Sequence, residues 1–222
     1  MSEERVSWIT ELVRERRTRK VIAKNGAIAL PQSDVARCNQ IVQQAIATAG
    51  FAPFHYDRKT DGVAEPWRFH VIWHEQCRLL GAKLREWFPE MRPSNKLPGM
   101  LNACGALVIV NWLPQFDADE ADEQKKVQIN EEHLAATSAA IQNLLLVLTA
   151  HELGNYWSSG GFFRSAEMFL RLGIDKREKL LGAIFVDYGA PESAVDVISG
   201  KQHERRCDSS KCTRVVNDVD VG

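Results

Sequence analysis

Three stretches of this chain carry residue types that could do chemistry. Arg16, Arg17, Thr18, Arg19 and Lys20 form a cationic run around one hydroxyl. Forked guanidiniums and an ammonium beside a hydroxyl suit a phosphate, because each supplies charge-assisted donors within reach of its oxygens. A long loop ends at Glu65, Pro66 and Trp67, and a turn reads Trp157, Ser158, Ser159, Gly160, Gly161. That turn sets an aromatic wall beside small residues whose backbone could approach the polar edge of a flat ligand. Each stretch also has a plainer account: the basic run could be a solvated helix C-terminus, and the turn an ordinary loop. Other chemistries lack their signatures. There is no Walker or dinucleotide glycine pattern, no nucleophile-elbow serine and no His pair at metal spacing on a helix.

The elements that must position these residues give an α+β pattern. The central one is a long helix from Asn130, a good N-cap, with Glu131 and Glu132 in the first turn and His151 near its end before Gly154. No charged residue falls between Leu134 and Ala150. Leu134, Ile141, Leu145 and Leu148 form a helical stripe, and Ala135, Ala136, Ala139 and Ala140 keep the other faces small. Such a helix is covered on nearly every side, and the small residues would let a second copy approach closely, which predicts a homodimer. A membrane span is the competing reading. The apolar run falls short of the roughly 20 residues needed and contains Gln142 and Asn143.

Before it, residues 3–20 read as an amphipathic helix with Val6, Ile9, Leu12 and Val13 on one face. A second helix runs from Ser33 or Asp34 to Ala49, with Gly50 as its stop. Strands are expected over 67–74, 103–113 and 180–189, with 103–113 apolar enough for the sheet's centre. Helical spacing returns from Glu75 to Phe88 and again over 162–172, and Asp175 could cap a short helix at 176–180. The loop 51–66 is long enough to suggest function. The acidic segment 114–126 reads as an exposed connection. It lacks the glycine and spacing of a calcium loop despite Asp117, Asp119 and Asp122.

Length and composition, 222 residues with 45% hydrophobic and 26% charged, fit a single domain over 1–222. Residues 192–222 show no strong core pattern and read as a C-terminal extension that wraps something. With 28 basic and 29 acidic residues the net charge is −1, so bulk electrostatics favour neither nucleic acid nor an anionic membrane. Five cysteines at irregular spacing argue against a disulfide framework and for a reducing compartment. The N-terminus has no apolar signal region, which makes the cytoplasm the expected location. His203, Cys207 and Cys212 lack the two close pairs of a structural zinc site, so no metal is expected.

Taken in order, these features resemble the nitroreductase family of FMN-dependent, NAD(P)H-linked oxidoreductases. Arg16, Arg17, Thr18 and Lys20 match its opening Arg-Arg-Ser-x-Arg/Lys motif. Ala52 and Pro53 match the Ala-Pro that ends a helix, and Glu65, Pro66, Trp67 and Phe69 match a Glu-Pro-Trp-x-Phe strand start similar to the iodotyrosine deiodinase branch. Leu153, Gly154, Trp157 and Gly160 match the Leu-Gly and Trp-x-x-Gly that follow the long helix. The resemblance spans roughly residues 14–191.

It implies a mixed sheet flanked by helices in an intertwined homodimer, with FMN at the subunit interface and the extension clasping the partner. Arg16, Arg17, Thr18 and Lys20 would hold the phosphate and the pyrimidine edge of the flavin. A backbone N–H from Ser158, Ser159, Gly160 or Gly161, beside Trp157, would face the flavin N5, and Arg205 or Arg206 would add a late phosphate contact. Many members carry Ser and Asn after the Ala-Pro. Here Phe54, His55 and Tyr56 stand there, followed by extra residues before Glu65. No side chain is needed as a catalytic acid or base.

The function expected from the resemblance is hydride transfer from NAD(P)H through flavin to a nitroaromatic, quinone or similar acceptor. Two alternatives stay open: a module that binds or sequesters flavin without turnover, and a reductive dehalogenase. Nucleic-acid binding through the basic run fares worst, since no aromatics are interleaved with it.

Overall fold

The computed structural model describes residues 2–58, 60–116 and 119–216. In chain order the elements are α1 (Ser2–Glu15), β1 (Arg19–Ala23), α2 (Gln32–Ala49), β2 (Trp67–Trp73), α3 (His74–Trp87), α4 (Leu97–Ala103), β3 (Ala106–Trp112), α5 (Glu123–Ala150), β4 (Gly154–Ser158), α6 (Ala166–Leu172), β5 (Lys179–Asp187) and β6 (Val195–Ser199). The apolar run becomes β3, buried from Ala106 to Asn111 and placed inside a four-stranded sheet of order β2-β3-β5-β4.

Successive residues of β3 and β5 serve opposite faces, and each face has its own core. Leu107, Ile109, Ala183 and Phe185 pack with residues of α3, α4 and α6. Val108, Val110, Ile184 and Val186 pack beneath α2 and α5. Fully burying a side chain such as Ile109 or Ile184 stabilises the fold by about 1.5–3 kcal/mol each, so the two-sided run is the main source of cohesion. All pairs in this sheet are antiparallel, and β1 pairs antiparallel with β6 in a separate ribbon. A parallel bridge between Thr18 and Asn155 joins that ribbon to the edge at β4, which makes the whole arrangement mixed, as expected.

Several boundaries differ from the sequence reading. The long helix starts at Glu123, where Asp122 accepts a hydrogen bond from the Lys125 N–H. Asn130 is therefore not a cap; its side chain accepts from the Gln115 N–H at 2.7 Å and ties the preceding segment to the helix. Part of the acidic connection thus belongs to the helix, because acids at its first turn suit the dipole. Within that connection Asp117 lies outside the described residues. Helix α1 stops at Glu15, and the basic run leaves it to enter β1, where pairing with β6 outweighs local propensity.

Of the expected inward face of α1 only Leu12 is buried, while Val6, Ile9 and Val13 stay exposed. Helix α4 forms where a loop was expected, with Pro98 in its first turn, where a missing N–H costs nothing. No helix forms at 176–180; Asp175 accepts from the Arg177 N–H in a turn, and the chain enters β5 at Lys179. Trp157 and Ser158, read as the start of the turn, are the end of strand β4, and the turn begins after Ser158. The extension holds a core element, since Val195 is buried and β6 lies along β1. Residues 217–222 lie outside the described part.

Helix α5 is long and apolar enough by composition to cross a membrane. Here Ala140, Ile141, Leu144 and Leu148 are sealed against the sheet. Polar groups are buried as well. Asn111 Nδ2 donates to Glu178 at 2.8 Å, and His70 meets the same carboxylate oxygen at 2.6 Å, while the buried Asn111 Oδ1 has no hydrogen-bond partner among the described residues. His133 on α5 is 1% exposed, and burial, then the charge of Arg58, pushes its pKa down to about 4. The fold therefore holds it neutral, while the unfolded chain binds a proton below about pH 6.5. Stability is complete above pH 6.5 and is lost as pH falls through 4, by at most about 3 kcal/mol. Urea midpoints at pH 4.5 and 7.5 should differ in that direction, and a His133→Gln variant should narrow the difference.

Candidate functional site

The bridge from Thr18 to Asn155 sets the basic run beside the turn after β4. Asn155 is buried, and its Nδ2 donates to the Leu145 and Leu153 carbonyls and to Thr149 Oγ1, which fixes β4 to the end of α5. Beside it Arg19 crosses over Gly154 to reach Asp187 at 2.6 Å. A Cβ on Gly154 would lie 2.5 Å from Arg19 Cδ, so only glycine lets that side chain pass. Arg19 binds protein, not ligand, and leaves its neighbours on either side of the strand to face outward.

Arg16, Thr18, Trp157 and Ser159 line one depression of about 500 Å³, closed by Gln142, Leu145 and Leu181. Arg16, Arg17 and Thr18 also line an adjoining hollow of about 150 Å³ with Gly200, Gln202 and Arg206. The tail is held there by the Gly200 N–H, which donates to the Thr18 carbonyl at 3.1 Å. A Cβ on Gly200 would sit 2.8 Å from Thr18 Cβ, a second place where glycine permits the approach. Burial, then the charges of Arg17 and Arg206, lowers the pKa of Arg16 below its usual value. Among the described residues none of these three guanidiniums has a carboxylate partner. Gathered cations without an anion are what an anion-binding site shows.

Trp157 lies against the backbone of β5, where a Cβ on Gly182 would be 2.1 Å from its Nε1. Gly160 has φ +104, and Gly161 has φ +50. The Gly160 N–H donates to Ser158 Oγ at 3.3 Å, a long bond that a better acceptor could displace. Lys20 does not line the depression. Its ammonium sits 5.2 Å over the Tyr156 ring on the other side of β4, and burial, then Lys96, lowers its pKa. Arg205 closes the short helical turn Gln202–Arg205 and does not line the hollow that Arg206 lines.

Pro53, Phe54, His55 and Glu65 gather elsewhere. Phe54 meets Trp67 edge-on at 5.5 Å, and His55 Nδ1 lies 3.0 Å from Glu132 Oε2. Glu65 sits at the foot of β2, its carbonyl accepting from Arg68. Glu132 precedes Gln142 by ten helical residues, about 15 Å along α5. Within one chain the expected residues thus form two groups. A larger cavity of about 640 Å³ faces the other side of β1, but Glu15, Asp34, Glu152 and Asp187 line it against Arg17 and Arg19. Those acids already offset its cations, so it is the poorer anion site.

Residues 38–189 match the nitroreductase family over more than half of the chain. The chain belongs to the nitroreductase family. That membership makes it an oxidoreductase. A Bacillus subtilis (strain 168) relative bearing the name NAD(P)H nitroreductase YfhC is 26% identical over 162 residues, 71% of this chain and 76% of that one. The fold is shared with a nitroreductase-like protein of Bacillus cereus at TM-score 0.61 and 18% identity, covering 95% of this chain and 96% of that one. A Desulfovibrio desulfuricans structure in complex with FMN aligns at TM-score 0.51 and 19% identity over 90% of this chain and 95% of its own. The family match begins at Cys38, beyond the basic run, so the structure alone brings Arg16 to Thr18 beside Trp157.

Motif reading grouped Arg19 with the phosphate-binding run and Gly154 with the Leu-Gly match but missed their crossing, and it missed Gly182 altogether, because these parts depend on a neighbouring strand. It also missed Gln142, Leu145 and Leu181, which look like core or surface positions until the depression is seen. The turn gives a direct check. A Cβ on Gly160 would meet Leu180 at 2.2 Å, whereas Gly161 has open space around it. Gly160→Ala should lower stability by about 3 kcal/mol in denaturant titration, from backbone strain and overpacking together. Gly161→Ala should cost only about 1 kcal/mol.

Proposed function

We propose that the chain is a homodimeric FMN enzyme that takes reducing equivalents from NAD(P)H and delivers them to a nitroaromatic, quinone or similar small aromatic acceptor. The observation that carries this reading is the set of guanidiniums around Thr18, unneutralised among the described residues, next to a depression walled by Trp157. The residues fit the cofactor: the cations suit its phosphate, and Leu145, Leu181 and the Trp157 ring suit a flat heterocycle. FMN bound there would supply the redox chemistry, accepting hydride from the nicotinamide and reducing the acceptor.

The chain's own residues bind and orient. Arg16 and Arg206 would hold phosphate oxygens together with the Thr18 hydroxyl, with Arg17 at the mouth. The backbone of Ser158 to Gly161 would offer donors to the polar edge of the ring, and Lys20 would lend positive charge from beyond Tyr156. Leu145 and Leu181 would exclude water from the ring face.

A second copy would complete the cleft. The outward stripe of α5 carries Ala135, Ser138 and Gln142, and α1 leaves Val6, Trp8 and Ile9 exposed. Two such surfaces crossing about a two-fold axis would set the Glu132 end of one helix against the Gln142 end of the other. Pro53, Phe54, His55 and Glu65 would then enter the cleft from the partner, and the tail beyond β6 would lie over it. A reducing compartment such as the cytoplasm suits the cysteine content.

Three measurements test this. Purified protein incubated with FMN should show a bound-flavin absorbance band that bleaches on anaerobic addition of NADH or NADPH. A bound band that neither nicotinamide bleaches would instead favour a flavin-sequestering module. Arg16→Ala should weaken FMN binding by about 10- to 150-fold, the loss of one charge-assisted bond of about 1.5–3 kcal/mol. Wild-type affinity in that variant would overturn the phosphate assignment. Sedimentation should give a dimer, and Ser138→Arg on the outward face of α5 should shift it toward monomer.

A further inference from the structure

Cys207 and Cys212 are both exposed, and their sulfurs lie 4.0 Å apart in the tail. The turn between them is built to hold that approach. Asp208 caps it by accepting from the Ser210 N–H at 2.8 Å, and the Lys211 and Cys212 N–H groups donate to the carbonyls of Asp208 and Ser209. The other three cysteines, Cys38, Cys77 and Cys104, are buried. Among the described residues no group of three His, Cys, Asp or Glu side chains could hold a metal ion. Two thiols with no third ligand among the described side chains suit a covalent pair.

We propose that Cys207 and Cys212 form a reversible disulfide by exchange with a small disulfide such as oxidised glutathione, and that this bond stiffens the turn directly after Arg206, the residue that lines the hollow with Arg16 and Thr18. One thiolate attacks the incoming disulfide, forming a mixed disulfide and releasing one small thiolate. The second thiolate then displaces the other. Two S–H bonds are lost and one intramolecular S–S bond forms; the two electrons and two protons end on the two released small thiols. The sulfurs must close by about 2 Å to reach bonding distance, which side-chain rotation in an exposed turn can supply.

The bond would close a six-residue ring beginning one residue after Arg206. The conformation that brings the sulfurs together is the one in which Arg206 lines the hollow with Arg16 and Thr18. Cross-linking favours that conformation by removing alternatives open to the free tail. If the hollow takes the FMN phosphate, as the proposed function has it, oxidation tightens flavin binding and reduction loosens it. The device matches a reducing compartment, where disulfides are transient sensors and not structural staples.

The full chain, incubated with oxidised glutathione or dithiothreitol and then alkylated, tests this by mass spectrometry. The oxidised sample should be lighter by one pair of hydrogens at a peptide linking Cys207 to Cys212. Tryptic cleavage after Arg206 should slow about fivefold, and FMN affinity should rise about fivefold. Neither change should occur in the Cys207→Ser, Cys212→Ser double variant. Persistent glutathione adducts without the cross-link would overturn the proposal. So would a cross-link that leaves tryptic cleavage unchanged. A cross-link that protects the tail in a chain that binds no FMN in either state would uphold the disulfide and count against the flavin reading.

Discussion

The site depends on one crossing. Arg19 passes over Gly154 to meet Asp187, so β1 is fastened to β4 and β5 through a side chain that runs against backbone. Such a contact does not stand on its ion pair, since a half-exposed pair contributes on the order of 1 kcal/mol or less. It stands on geometry. A residue larger than glycine at 154 would displace the Arg19 side chain from its path to Asp187 and break this tie between β1 and β5. The parallel bridge from Thr18 to Asn155 and the three bonds from Asn155 to α5 and Leu153 make the same junction from the other side. A binding residue is placed only as well as the shell that holds it, and this shell consists of Arg19, Gly154, Asn155 and Asp187.

Helix α5 has to satisfy two surfaces. Its inner side seals the sheet with Ile141, Leu144 and Leu148, and its outer side carries small and polar residues such as Ala135, Ser138 and Gln142. Val127 and Leu134 are exposed as well, so Leu134, read from the sequence as part of the inward stripe, does not join the core. The small residues leave room for close approach. The same helix spaces the site, because Gln142 lines the depression while Glu132, about 15 Å away, holds His55. The two groups of candidate residues are therefore kept apart by the length of a rigid element and not by a flexible loop.

Charge is handled differently in the interior and at the site. Away from the site several charged groups meet opposite charges or polar partners: Asn111 and His70 share Glu178, and Arg58 pairs with Asp119 at 3.0 Å. Around Thr18 the opposite holds, with Arg16, Arg17 and Arg206 brought close and Arg16 losing proton affinity to burial and to the other two. A cluster of like charges gathered at one place, with opposite charges matched elsewhere, is the arrangement that suits an anion.

The sequence alone determined the α+β class, a buried strand within 103–113 and a long helix through Ala150, though not their exact ends. It also determined the residue types able to hold a phosphate and a flat ring. These are local matters, since a two-sided apolar run, a helical stripe and a guanidinium each carry their physics within a few residues. Tertiary structure decided the rest. The basic run read as the end of α1, yet it is the start of β1, because its strand partner lies some 175 residues away at 195–199. Asn130 looked like a cap, yet the helix begins at Glu123 with Asp122 as its cap, because helix-favouring residues continue upstream and Gln115 uses the asparagine. Trp157 is a wall because Gly182 on another strand leaves space for it. Whether Lys20 faces the depression or Tyr156 depends on the twist between two strands paired to different neighbours. No pattern within a single stretch encodes such a relation, because strand pairing and clearance are properties of two distant segments at once.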